Sequence, residues 1–251
     1  MDHALWSSPN NMKKRNIVYC LCSYLPQDDI IQKNLTPVIE DLKKWAEYKN
    51  ADFKLITKIP DKIEDMFISI KQFYSDKKLS KYKCIKHEEY ASEVQRLKAW
   101  NTKFYLIHEF YKSNYDKMLY FDCDVIVRHK ERFKFEDYNK TFYMYMRQEE
   151  IKTADPIVIP EKYLNREIPG RFAAGLIFIC RDLQANLADV FAYDKLYKLW
   201  QKDDHFIREE TAMTYIINNE HVPTTYINFP LIHIGCDNIK KEYIHEELRA
   251  N

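Results

Sequence analysis

Asp122 and Asp124 stand one residue apart in the run Met118-Leu119-Tyr120-Phe121-Asp122-Cys123-Asp124-Val125-Ile126-Val127. Two carboxylates this close repel each other, and a hard divalent cation held by oxygen ligands relieves the repulsion. The D-x-D pattern also arises by accident in solvated loops. Here it lies between two hydrophobic runs, where an unfilled carboxylate pair would be costly. The first run reads as a buried strand, and in open α/β sheets ligands collect at the carboxyl ends of strands, where both aspartates fall. A phosphotransferase motif D-x-D-G-[TS] is ruled out because Val125 and Ile126 fill its last two positions. Kinase-like catalytic and metal-binding loops are absent as well.

Phosphate cradles built on glycine are excluded by count. The chain has three glycines, Gly170, Gly175 and Gly235, and neither G-x-G-x-x-G nor G-x-x-x-x-G-K-[ST] can be written with them. Of six cysteines, Cys20, Cys22 and Cys180 lie in apolar runs. They read as buried thiols of a reducing compartment and not as a disulfide framework. Cys20 and Cys22 point to opposite faces if they share a strand, and no second close pair exists to complete a zinc site. Asn34-Leu35-Thr36 and Asn139-Lys140-Thr141 match the glycosylation acceptor pattern, which carries little weight without a secretory signal.

The elements that hold these residues follow from patterning. The 251 residues are 46% hydrophobic, 15% aromatic and 31% charged, enough to cover one large core. Lys and Arg number 39 against 38 Asp and Glu, and a formal charge of +1 disfavours a surface for nucleic acid or an anionic membrane. Residues 1–15 form a polar extension with no apolar stretch long enough for a signal peptide or a membrane span, so a soluble, cytoplasmic chain is expected. Asn16 to Tyr24 reads as a strand buried on both faces, and Asp28 to Tyr48 as a helix with Pro37 as a kink or boundary. Phe53 to Ile56 is a second strand, Lys58 to Glu89 is lysine-rich and ambiguous, and Ala91 to Tyr111 is a helix leading into the strand Met118 to Phe121. Thr141 to Met146, Leu176 to Ile179 and Thr225 to Phe229 read as strands, and Leu183 to Trp200 and Thr211 to Asn218 as helices. This order predicts one α/β domain over 16–251 with a mostly parallel sheet.

The stretch Tyr115 to Val127 resembles the D-x-D strand of GT-A glycosyltransferases, especially glycogenin-like and galactosyltransferase-like members, which typically read YLDADVIV. The resemblance implies a GT-A (Rossmann-like) fold, a mostly parallel sheet flanked by helices, with Asp122 and Asp124 as metal ligands and Asp124 within the catalytic centre. In those families a basic residue on the preceding helix contacts the sugar nucleotide. Arg96, Trp100 and Lys103 share one helical face here, so Arg96 and Lys103 are the candidates. Phe172-Ala173-Ala174-Gly175-Leu176-Ile177-Phe178-Ile179 is similar to the family's F-N-A-G segment beneath the donor sugar, which implies a donor contact at Ala174 and Gly175. Ala173 stands where many relatives carry asparagine.

Leu231-Ile232-His233-Ile234-Gly235, followed by Lys240 and Lys241, is similar to the family's H-x-x-G-x-x-K-P-W segment, whose histidine is a third metal ligand and whose lysine binds the donor diphosphate. His233 precedes its glycine by two residues and no Pro-Trp follows, so the residue types carry over as His233 and Lys240. Carboxylate, imidazole and phosphate oxygen together suit manganese. His205 to Met213 resembles the start of the helix that borders the acceptor, with Glu210 preferred over Glu209 as the catalytic carboxylate. An acidic pair at a helix start also complements the helix dipole.

The resemblance therefore implies transfer of a sugar from a nucleoside-diphosphate sugar, a UDP-sugar favoured over a GDP-sugar, to an acceptor glycan or glycoprotein, with retention. Mn2+ or Mg2+ would be the cofactor, and Cys22, Ser23 and Tyr24 would meet the base. Trp6, Tyr24 or Trp200 could stack on acceptor sugars. Two other readings use the same residues: a metal-dependent phosphohydrolase or nucleotidyltransferase, and a non-catalytic binding domain of this fold.

Overall fold

Five of the six residues of β1 (Asn16–Leu21) are buried, because the strand is flanked on both sides by parallel neighbours in the middle of a sheet. The computed structural model describes residues 16–22, 29–75, 87–128, 130–139, 142–146, 172–181, 186–202, 204–227, 231–233 and 248. β1 pairs with β2 (Ala51–Ile56) and β3 (Lys117–Asp122), with Leu21 opposite both Ile56 and Asp122. β6 (Phe172–Cys180) pairs antiparallel with β3 and with β5 (Phe142–Met146), and β7 (Thr224–Ile227) pairs parallel with β5. The order is β2-β1-β3-β6-β5-β7, and β6 alone runs against the others. A second sheet of two strands pairs β4 (Val125–Val127) antiparallel with β8 (Leu231–His233).

Alternation along the central strands divides the core in two. Val18, Cys20, Leu119, Phe121 and Phe178 face α1 (Asp29–Tyr48), which contributes Leu35, Val38, Leu42 and Trp45. Ile17, Tyr19, Met118, Tyr120 and Ile177 face the opposite layer, where α2 (Asp61–Ser75), α3 (His87–Lys112), α5 (Tyr193–Lys202) and α6 (Glu209–Asn219) contribute Phe67, Phe104, Trp200 and Met213. Helices on both faces of a mostly parallel sheet make this an open α/β fold.

Three expectations are corrected. Pro37 lies inside α1 and does not end it, since Leu35, Val38 and Leu42 on either side are fully buried and packing outweighs one missing hydrogen bond. Leu183 to Trp200 is not one helix. Asn186 caps a short α4 (Leu187–Val190) by accepting from the Ala188 N–H, and Phe191 then buries its ring 5.4 Å from Phe104 before α5 starts. Trp200 is not available to a sugar: it is fully buried against Phe67, with ring centroids 5.3 Å apart.

Candidate active site

β3 delivers Asp122 at its last position and the chain turns at once through Cys123 and Asp124 into β4. Tyr120 and Asp122, two residues apart on a strand, emerge on the same face. The Tyr120 hydroxyl donates to Asp122 Oδ1, and the Lys103 ammonium lies 3.4 Å from the same oxygen. Burial and the adjacent Asp122 carboxylate push the Tyr120 hydroxyl well above its ordinary pKa, so it stays a donor. Asp124 is 3% exposed, a carboxylate taken almost wholly out of water. On the other face Cys123 and Cys22 follow the last β1–β3 pair, Leu21 opposite Asp122, and are buried in the same cluster. Their thiols share a hydrogen bond that holds Cys22 below its ordinary pKa, whereas Cys123 is held well above, first by that bond and then by burial.

Lys103 is the centre of the polar network beneath the strand end. It rises from α3 with 2% of its side chain exposed and donates to Glu209 Oε1 at 2.9 Å. Burial alone would lower its pKa, but the carboxylates of Asp122, Glu209 and Glu210 outweigh that and hold it above the ordinary value, so the ammonium stays charged. Burial pushes the Glu209 carboxyl up, Lys103 opposes this, and Glu210 adds to it. Asn101, two residues earlier on α3, donates to the Ile207 carbonyl at 2.8 Å and fixes the approach to α6. Glu210, second residue of α6, accepts from the Ala174 backbone N–H at 2.8 Å. Because β6 is reversed, its beginning, which runs past the end of β3 and pairs with β5, lies at the end of the sheet where β1 and β3 finish and the aspartates stand.

Six of the expected residues are thus brought to one end of the sheet: Cys22, Asp122, Asp124, Ala174, Gly175 and Glu210. Cys22 is buried, its N–H bonded to the Ile56 carbonyl at 2.8 Å. Gly175 is half-buried and follows Ala174 in β6. Arg96 is exposed on α3, about 10 Å along the axis from Lys103 at 1.5 Å per residue. Lys103 departs from the expected donor contact: its ammonium is buried and bonded to protein carboxylates. β8 places the backbone of His233 opposite Val125, the residue after Asp124. Ser23, Tyr24, Lys240 and Trp6 lie outside the described residues. Among the described residues no three His, Cys, Asp or Glu side chains form a metal-holding group. The hard oxygens of Asp122 and Asp124 fit a divalent cation in kind, and the remaining ligands would come from a substrate phosphate or from His233.

No family model matches the sequence, and no curated protein matches it significantly. The structure is similar to the crystal structure of a glycosyltransferase involved in the glycosylation of the major capsid of PBCV-1. The TM-score is 0.50 at 12% sequence identity, covering 92% of this chain and 99% of that chain. At that identity the likeness is one of fold, and it extends over nearly the whole of both chains. No helix among the described residues is long and apolar enough to cross a membrane.

Sequence reasoning passed over Tyr120 and gave Lys103 a different partner. The i, i+2 spacing of Tyr120 and Asp122 on a strand was the available signal for the first. No local signal exists for the second, since Lys103 and Glu209 are 106 residues apart. A cavity of about 290 Å³ at the other end of the sheet, lined in part by Asn16, Lys117, Glu136 and Arg181, is remote from this site. Its cations are committed: Lys117 donates to the Phe135 and Tyr138 carbonyls, and Arg181 to the carbonyls of Tyr115, Tyr111, Phe110 and Ser113 that end α3.

Proposed function

We propose that this chain is a metal-dependent glycosyltransferase that moves a sugar from a nucleoside-diphosphate sugar to an acceptor glycan or protein, with retention. Residues 16–251 would form its single GT-A domain and 1–15 a polar extension. The observation that carries the reading is the meeting of the Asp122-x-Asp124 strand end with the Ala174–Glu210 bond at one end of a sheet whose fold matches a glycosyltransferase structure. Asp122, Asp124 and His233 would hold Mn2+ or Mg2+, which would supply a positive charge to the diphosphate. Arg96, exposed on α3, and Lys240 would add cations for the same phosphates. Gly175, half-buried and without a side chain, would leave room for a sugar on the strand beside the buried Ala174. A UDP-sugar is the favoured donor, its base reaching the end of β1 at Cys22, Ser23 and Tyr24.

In the step itself the bond from the sugar's anomeric carbon to the β-phosphate oxygen breaks, its electron pair leaving with the nucleoside diphosphate. The acceptor oxygen forms the new bond on the same face, and its proton passes to the departing phosphate. Glu210, anchored through one oxygen to Ala174, would brace the positively charged sugar with the other.

The test is a panel of UDP- and GDP-sugars, each with and without Mn2+, scored by thermal stabilisation and by product. Mn2+-dependent stabilisation and release of nucleoside diphosphate, faster with an acceptor glycan, are expected. Release of inorganic phosphate or pyrophosphate would favour a phosphohydrolase or nucleotidyltransferase. No binding and no turnover would leave a non-catalytic domain.

A further inference from the structure

We propose that Tyr120 and Lys103 are positioning residues that grip Asp122 by Oδ1, so that Oδ2 alone is presented to a divalent cation. The inference rests on the reading of Asp122 as a cation ligand. Two separate donors converge on one oxygen: the hydroxyl of Tyr120 and, at 3.4 Å, the ammonium of Lys103. Among the described residues neither contact goes to Oδ2. The side chain of Asp122 is 23% exposed, so it sits at the boundary between this buried network and the open end of the sheet.

The terminal torsion of an aspartate is broad, and a carboxylate at a strand end can turn to offer either oxygen or both. Holding Oδ1 from below removes that freedom before any ion arrives, which is what ordered partners behind a ligand do. Lys103 stacks 5.4 Å from the Tyr120 ring, so the two donors also support each other. The grip reaches further than Asp122. Lys103 is anchored 2.9 Å from Glu209, the residue before Glu210, so the orientation of the cation ligand is set from the same helix start that carries the carboxylate facing the reacting sugar.

Titration with Mn2+ alone, followed by loss of the free-ion electron paramagnetic resonance signal, tests this on the full chain. Tyr120→Phe removes a hydroxyl and no charge. Its Mn2+ dissociation constant should rise about 10-fold or more, while the melting temperature stays near that of the wild type. Lys103→Met combined with Glu209→Gln removes the buried pair together, and it should weaken Mn2+ by a similar factor even though a cation beside the site is gone. A lysine that merely paired with Glu209 would leave the titration of this double variant unmoved. If both variants bind Mn2+ as the wild type does, the grip is wrong and the reading of Asp122 as a ligand stands apart from it. If the wild type takes up no Mn2+, or Asp122→Asn binds it equally well, the ligand reading fails and the grip falls with it.

Discussion

Glu210 accepts a hydrogen bond from the backbone N–H of Ala174 at 2.8 Å, tying the first turn of α6 to the beginning of the one reversed strand. A glutamine can accept the same bond through its amide oxygen but carries no charge. Glu210→Gln should therefore keep the melting temperature within a few degrees and lower donor turnover about 100-fold or more. Glu210→Ala should add a stability loss of about 1 to 3 kcal/mol, because the Ala174 N–H is left without its partner. Release of nucleoside diphosphate and urea unfolding separate the two effects. Wild-type turnover in the glutamine variant would return Glu210 to a purely structural role.

Removing the charge of Lys103 leaves Glu209 buried without its cation. Lys103→Met should cost about 3 to 5 kcal/mol at neutral pH. Burial already holds the Glu209 carboxyl above its ordinary pKa, and losing Lys103 takes away the group that opposes the rise. A raised carboxyl favours the protonated form in the folded state, so the deficit should shrink as pH falls and grow as pH rises through the new value. Urea midpoints of variant and wild type between pH 5 and about 8 give the slope. A deficit that does not vary with pH would mean that the loss is one of packing.

Asp124→Asn should abolish stabilisation of the protein by Mn2+ plus a UDP-sugar while leaving the metal-free melting curve in place. His233→Ala should weaken Mn2+ binding about 10-fold to 100-fold. Calorimetric titration of both variants against wild type reads the outcome. An unchanged titration in either variant removes that residue from the ligand set.

Alkaline pH should destabilise the protein through its buried and hydrogen-bonded tyrosines, Tyr19 and Tyr115 among them. Burial pushes Tyr19 up to about 12, and the hydrogen bond to Asp52 at 2.5 Å does the same for Tyr115, against an ordinary value of 10.0. Both folded-state values are raised, so their contribution to stability is complete below pH 10 and disappears as pH climbs towards about 12. Tyrosinate absorbance should lag in the folded protein over that interval, and Tyr115→Phe should reduce the fall of the urea midpoint across it. A tyrosinate titration centred at the ordinary value for every tyrosine would contradict this.

What the chain displays openly is its central sheet. β1 and β3 lie between parallel neighbours or near the sheet's middle, so they are written as unbroken apolar runs, and Asp122 announces the end of one of them. β4 and β8 have three residues each, too few to show a period, and their pairing exists only in the folded chain. Apolar periodicity ran straight through Phe191 because its ring is indeed buried; the cap formed by Asn186 is the local competitor that such a count does not weigh. Resemblance assigns Lys103 to the sugar nucleotide for the equally simple reason that its buried partner lies far away in sequence. Patterns within one element are legible, whereas a charge satisfied across the fold is not.

The β4–β8 ladder also has a kinetic side. It joins Val125 to His233 over a span of 233 − 125 = 108 residues, while β1 pairs with β2 over 51 − 16 = 35 and with β3 over 117 − 16 = 101. Loop closure hardly distinguishes the two longest spans, so order of synthesis does: the segment with Val125 emerges well before the one with His233. Asp122 and Asp124 would then be in place on a largely built sheet before His233 reaches them. With Asp122, Asp124 and His233 as the proposed ligands, a nascent chain would lack the third until β8 docks on β4, so capture of the ion would report that this ladder has closed.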